Sequence, residues 1–244
     1  MSGGLRHEQE EPLDRRQLAV SVIAVLAFAS AGPALAASPP ATWDDLVKVK
    51  SKRLNYVYLL PGADFRAYTK VILGPTQIAF KKNWQRDYNS TTRGLGARVT
   101  DEMVERTIAD GGKAASEIFA KAFADGGYSI VTEPGADVLL IRTAVINLSI
   151  TAPDTRSAGR SRTYAGEAGS ATLVVEAVDS VSGAILGRAV DSQVAGDYSY
   201  MINRNSMTNR SDFALVAKEW ARDCVNGLGE LKRLSPVSAA GSPP

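Results

Sequence analysis

Apolar positions along this chain fall into three patterns. The first is one uninterrupted run, Leu18 to Ala31, which carries no charge and follows a charged stretch ending in Arg15-Arg16. Pro33 breaks the run, and Ala34-Leu35-Ala36 then places small residues where a signal peptidase reads them. That order predicts a cleaved leader over residues 1–36, with Ala34, Ala36 and Ala37 around the cut. A spanning helix needs roughly 20 apolar residues, so the run is too short for a permanent anchor. The general secretory and twin-arginine routes both remain open, because Arg15-Arg16-Gln17-Leu18 matches part of the second signal.

The second pattern is alternation or short β-rich runs. Tyr56, Tyr58 and Leu60 alternate up to the turn Pro61-Gly62. Residues 69–80 read as a strand interrupted by Gly74-Pro75, hence edge or bulged. Tyr128–Thr132 is short, Asp137–Ile150 is the strongest strand, and 171–178 with 184–194 reads as a hairpin through Asp179–Gly183. The third pattern is helical spacing. Thr42 is read as capping a short helix with Trp43, Leu46 and Val47. Thr100 caps a helix through Val104, Ile108, Ala115, Ile118, Phe119 and Ala122 that persists across Gly111-Gly112 and stops at Asp125-Gly126-Gly127. Asp212 is read as the cap of a last helix with Phe213, Val216, Trp220, Cys224, Leu228 and Leu231 on its apolar face. Residues 81–98, 151–168 and 196–211 read as loops. The tail 235–244 reads as disordered. The expected fold is a single α+β domain over residues 37–234: a mainly antiparallel sheet of about five strands with two long helices on one face.

Composition narrows the chemistry. The only histidine, His7, lies in the leader, and the only cysteine is Cys224. The mature chain therefore lacks the imidazole of histidine triads and the ligand set of Cys/His zinc sites. Cys224 falls on the apolar stripe of a helix and reads as a small hydrophobe. No cysteine follows the apolar run to carry a lipid, so the mature protein is expected to be free of a membrane anchor. A net charge of +2 over the whole chain is too weak for nucleic acid, which needs a dense basic footprint. No dinucleotide or P-loop pattern is complete around Gly94-Leu95-Gly96 or Gly111-Gly112-Lys113. No cofactor is expected. Carboxylate pairs could still run a hydrolase, and Asp64, Asp87, Asp154, Glu167 and Asp197 are the loop acids available, each read as solvated surface.

If the strand at 69–80 and that at 128–132 are parallel neighbours, the helix between them is their crossover. Taking 137–150 to run back the other way brings segments 61–68, 151–168 and 196–211 to one end of the sheet. They carry Asp64, Tyr68, Arg156, Arg160, Arg162, Tyr164, Tyr198, Tyr200, Arg204 and Arg210. Tyrosine and arginine suit a binding surface, offering large contact area with a polar end, so this end is the expected partner or ligand face.

Leu60–Phe65, Ala67–Val71 and Ala79–Asn89 together resemble an uncharacterised domain family of exported bacterial proteins, many of them lipoproteins. The resemblance implies the export compartment and no established activity. More loosely, the helix after the first strand, Tyr128–Val131, Gly135–Leu140 and the hairpin Val178–Gly183 resemble envelope-assembly domains such as the amino-terminal domain of TolB and the curli secretion lipoprotein CsgG. Those domains act by binding partners. The expected role is that of a non-catalytic periplasmic protein binding another envelope protein. A small-ligand binder with a pocket at the loop end is the alternative, and a carboxylate-pair hydrolase stands third.

Overall fold

A computed structural model describes residues 40–92, 98–153, 155 and 163–238. The elements run β1 (Thr42–Trp43), β2 (Leu46–Val49), β3 (Tyr56–Leu59), β4 (Lys70–Leu73), β5 (Gln77–Phe80), α1 (Trp84–Thr91), α2 (Asp101–Asp125), β6 (Ser129–Ile130), β7 (Val138–Ile150), β8 (Thr163–Ala165), β9 (Gly169–Asp179), β10 (Ile185–Ala195), β11 (Ile202–Arg204) and α3 (Ser206–Leu234). Nine strands form one sheet in the order β1-β2-β3-β10-β9-β7-β4-β6, with β5 also on β7, while β8 and β11 form a separate pair. The class is α+β as expected. The sheet is larger than five strands and is mixed, because β4, β5 and β6 enter as parallel pairs.

The strand expected at 69–80 is two strands laid end to end beside β7. β4 pairs Val138–Ile141 and β5 pairs Ala144–Leu148. Pro75 cannot donate to a ladder, so the ladder breaks there. α2 also packs closely against the break. A Cβ on Gly112 would stand 2.9 Å from the Thr76 carbonyl oxygen. Ser116 Oγ accepts from Thr76 N (2.9 Å) and donates back to the Gly112 carbonyl (2.7 Å). The glycine pair is thus a docking seat for the strand break, and α2 runs through it unbroken. Thr100 caps α2 as expected, accepting from Met103 N.

Four local readings are corrected. Residues 42–49 form the β1–β2 hairpin instead of a helix; the alternating β-branched positions outweigh the threonine cap. Residues 81–98 contain α1, whose aromatic side chains stack as a column: Phe80 to Trp84 at 4.4 Å and Trp84 to Tyr88 at 6.0 Å between ring centroids. The last helix begins six residues before Asp212. Asn205 caps it, accepting from Met207 N and Thr208 N, with Thr208 Oγ1 completing the capping box. Finally, the start of the tail is docked: Val237 N donates to Ala63 O, Val237 O accepts from Gly62 N, and Ser235 Oγ accepts from Phe65 N.

Both long helices lie on one face of the sheet. Phe119 and Phe123 of α2 and Val216, Trp220, Ala221 and Leu228 of α3 form one core with Val71, Leu139, Ile141, Val145 and Leu173. Along β7 the inward positions change phase, from Leu139, Ile141 and Val145 to Leu148. A bulge makes the change: Asn147 takes φ 53°, which asparagine tolerates, and the ladders to both β9 and β5 shift there. Trp220 Nε1 donates to Asp191 (2.8 Å), anchoring α3 to β10. The opposite sheet face carries a second brace. Arg188 Nε and Nη2 bind Glu176 (2.9 and 2.8 Å), Nη1 binds Asp44 (2.9 Å), and the guanidinium lies 4.2 Å from the Trp43 ring centroid, tying the tip of the first hairpin to β9 and β10.

Candidate functional site

Strand directions decide which loops meet. β7 is parallel to β4 and antiparallel to β9, because β6 is only two residues long and lies on the far side of β4. The turn through Pro134-Gly135 therefore carries the chain past β4 to start β7 in the same direction. The exit of β7 falls at the end of the sheet where β5 ends, and β10 returns there beside the start of β9. So the described parts of 151–168 share an end with 196–211, but 61–68 is at the other one. β7 alone is about 40 Å long at 3.3 Å per residue. The expected three-way convergence is corrected to two segments, and the third contributor is the β5–α1 corner.

At the remote end, Asp64 is bound to its neighbour Arg66 in an exposed pair, whose hydrogen bonds hold the carboxyl down to about 2. Tyr68 is 8% exposed, and its hydroxyl donates to Asp179 (2.7 Å). Burial first, then that bond, pushes the phenol up to about 12. Asp179 organises the β9–β10 turn, accepting from Val181 N, Ser182 N and Ser182 Oγ. These bonds, led by the Ser182 amide, lower its pKa. A lowered folded pKa gives stability that is present above the unfolded value of about 3.9 and is lost as pH falls through the folded value. Melting temperatures of the wild type and of Asp179→Asn are therefore expected to differ at pH 7 and to converge as the pH falls below about 4. A gap that stays constant down to pH 2 would contradict the assignment.

At the loop end, the centre is a buried guanidinium. Arg204 is 4% exposed and Asp212 is 4% exposed. Arg204 Nη1 binds Asp212; Nε donates to Ala165 O (3.1 Å); Nη2 donates to Gly166 O and to Gly196 O (2.8 Å). Tyr198 hydroxyl donates to the other Asp212 oxygen (2.9 Å), and its ring lies 5.5 Å from the guanidinium. The carboxylate beside it raises the Tyr198 pKa. Arg204 and Asp212 thus form a brace that ties the β8–β11 pair to the first turns of α3. Asp212, read as a helix cap, is inside the helix and is half of this pair. Asn209, one turn earlier, donates to Ala152 O (2.7 Å) and holds the exit of β7 to the same helix.

Around the brace lies an exposed surface. Tyr164 is 54% exposed, Tyr200 64%, Met201 70% and Met207 78%. Tyr198 and Tyr200 are 5.7 Å apart between centroids, and Arg210 is exposed on α3. Arg156, Arg160, Arg162 and Asp154 lie outside the described residues, as do the leader with Ala34, Ala36 and Ala37. Sequence reasoning missed the α1 aromatic column, with Trp84 Nε1 donating to Ile150 O (3.3 Å); the signal was present in the spacing of Phe80, Trp84 and Tyr88.

The buried acids are each matched to donors: Glu176 to Arg188, Asp191 to Asn55 N, Gln193 and Trp220, and Asp212 to Arg204 and Tyr198. Among the described residues no cluster of three or more His, Cys, Asp or Glu is placed to hold a metal, and no helix is long and apolar enough to cross a membrane.

No curated protein matches the chain. Solved structures similar to it include the PelC dodecamer from Paraburkholderia phytofirmans (14% identity, 70% of this chain and 95% of that one, TM-score 0.36). A DUF330 protein from Xanthomonas campestris also matches (12%, 71% and 90%, TM-score 0.33). So does a Caulobacter crescentus CB15 protein to which a lipoprotein nature is ascribed (13%, 50% and 83%, TM-score 0.32). Likenesses of this size carry no inference about ligand or assembly. The family comparison is firmer, covering most of the described fold. Over residues 41–224 the chain matches, and belongs to, the protein family of unknown function DUF3313.

Proposed function

We propose that this chain is an exported envelope protein that works without catalysis, by binding another envelope protein at the loop end of its sheet. The supporting observation is the exposed surface of Tyr164, Tyr200, Met201 and Met207 set on the Arg204–Asp212 brace. Tyrosine, methionine and arginine are the residue types that interface centres favour, and a rigid support lowers the ordering cost of binding. The leader supports export, and its removal from the exported form would leave a new terminus at Ala37.

A photo-crosslinking side chain placed at position 200, and separately at the remote Val181, tests the reading in intact cells. A discrete crosslinked species is expected from position 200 alone, and Tyr164→Ser with Met207→Ser should abolish it without lowering the melting temperature. Equal crosslinking from both positions, or turnover of an envelope glycan by the purified chain, would refute the proposal. Tyr68 and Tyr164 lie at opposite ends of the sheet, so a small-ligand pocket at the loop end would have to be built without Tyr68.

A further inference from the structure

A cavity of about 490 Å³ lies under the C-terminal half of α3, far from the loop end. Its walls are mainly apolar. Val57, Leu59, Val175 and Ala177 come from the sheet, Leu228 and Leu231 from α3. It lies where α3 leaves the sheet uncovered toward β3, which is flanked by β10 on one side and β2 on the other. The 50–55 connection folds over this gap instead, with Leu54 reaching the core. The half-buried Cys224 lines the cavity, and burial, with the charges of Asp223 and Asp191 beside it, pushes its thiol up to about 12.

Two features distinguish this space from a packing defect. α3 presents Gly227 to it, and a Cβ there would meet nothing within 4 Å. A helix interior disfavours glycine, and at position 227 the missing side chain leaves the space beside the cavity wall open. The connection also supplies cations. Arg53 is committed to Glu230 (2.6 Å) and faces Asp223 (3.8 Å), whereas Lys50 and Lys52 line the cavity with no ion pair within 4.0 Å among the described residues, Lys52 standing near enough to Glu230 to help lower that carboxyl. A mainly apolar interior with two exposed ammonium groups at one side, outside the Arg53–Glu230 pair, matches a molecule with a hydrocarbon tail and a negative head. The volume falls within the range of small-molecule sites, about 300–1,000 Å³.

We propose that this cavity binds a single-chain amphiphile with an anionic head, its acyl chain against Val57, Val175 and Leu228 beside Gly227 and its head at Lys50 and Lys52. The site is independent of the partner surface, so either can fail without the other.

Displacement of cis-parinaric acid fluorescence from the purified chain tests it, using fatty acids of 8 to 16 carbons, 1-tetradecanol, tetradecyltrimethylammonium and myristoyl-lysophosphatidylglycerol. Affinity is expected to rise roughly three- to fourfold per added methylene until the cavity is full. Anionic heads should exceed the alcohol, and the cationic amphiphile should be weakest. Gly227→Phe should lower affinity at least tenfold with an unchanged circular dichroism spectrum. Lys50→Gln with Lys52→Gln, a surface change that leaves the core intact, should erase the preference for anionic heads while keeping the chain-length trend. Binding of myristate without the lysolipid assigns the site to free fatty acids; the reverse assigns it to membrane lipid. Failure of any probe to saturate, insensitivity to Gly227→Phe in a folded variant, or equal binding of the cationic amphiphile would overturn the proposal.

Discussion

Replacing Arg204 by alanine is expected to remove about 3–5 kcal/mol of folding stability, the range for deleting one partner of a buried ion pair. The reason is the charge left behind. Among the described residues Asp212 keeps only the Tyr198 hydroxyl as a side-chain donor, in a position 4% exposed. The carbonyls of Ala165 and Gly166 lose their guanidinium donor at the same time, and so does that of Gly196. Asp212→Ala should cost a similar amount, since it strands the guanidinium. The double variant Arg204→Met, Asp212→Leu should recover much of the loss, because it removes both charges and keeps the volume. Urea unfolding of the three variants measures this. Single-variant losses below about 1 kcal/mol would mean that the pair is solvated and the brace has no structural weight. The same experiment separates support from recognition. If Arg204 only holds the surface, the double variant should keep the crosslink from position 200; if Arg204 contacts the partner, the crosslink should vanish although stability returns.

That distinction shows what the sequence made legible. The long elements were readable because each carries its own period: α2 through the spacing from Val104 to Ala122, β7 through its β-branched run, and β9–β10 through the Asp179–Gly183 turn. Their class followed. The direction of β7 was not readable. A turn at Pro134-Gly135 serves a hairpin and a short parallel crossing equally well, and only the pairing of β6 with the far edge of β4 decides between them. One reversed strand moved Asp64 and Tyr68 to the other end of the sheet. The roles of Arg204 and Asp212 were hidden for a related reason. A polar residue in a loop-like segment reads as surface, and burial appears only when Asn205 starts the helix early and β8 pairs with β11. The exposed tyrosines at 164 and 200 were legible as candidates because nothing in their local sequence calls for burial.

Gly169→Ala is expected to be the most damaging change of a single methyl group, with a loss of at least about 3 kcal/mol. Gly169 starts β9 between two neighbours, opposite Ile150 on β7 and Ala195 on β10. Its φ is 149°, a conformation that side chains avoid at a cost of order 1–3 kcal/mol. An added Cβ would stand 1.9 Å from the Ser149 carbonyl oxygen and 3.1 Å from Ile150 Cα. Both are backbone atoms, so no rotamer change relieves the clash, and overpacking adds a further ~1–3 kcal/mol. The close approach arises from the bulge at Asn147, which brings Ser149 across toward β9. Gly183→Ala is the control: its φ is 73°, yet nothing lies within 4 Å of the added carbon, so only the left-handed strain of about 1–2 kcal/mol applies. Unfolding free energies of the two variants compare strain alone with strain plus contact. Equal losses would show that Gly169 has room and that the bulge is looser than described. A larger loss at Gly169 would place the bulge among the supports of the loop end, because Ala168, its neighbour, donates to Ala195 O and accepts from Thr151 N. Those two bonds fix where segment 163–168 leaves the sheet, and with it the position from which Tyr164 faces solvent.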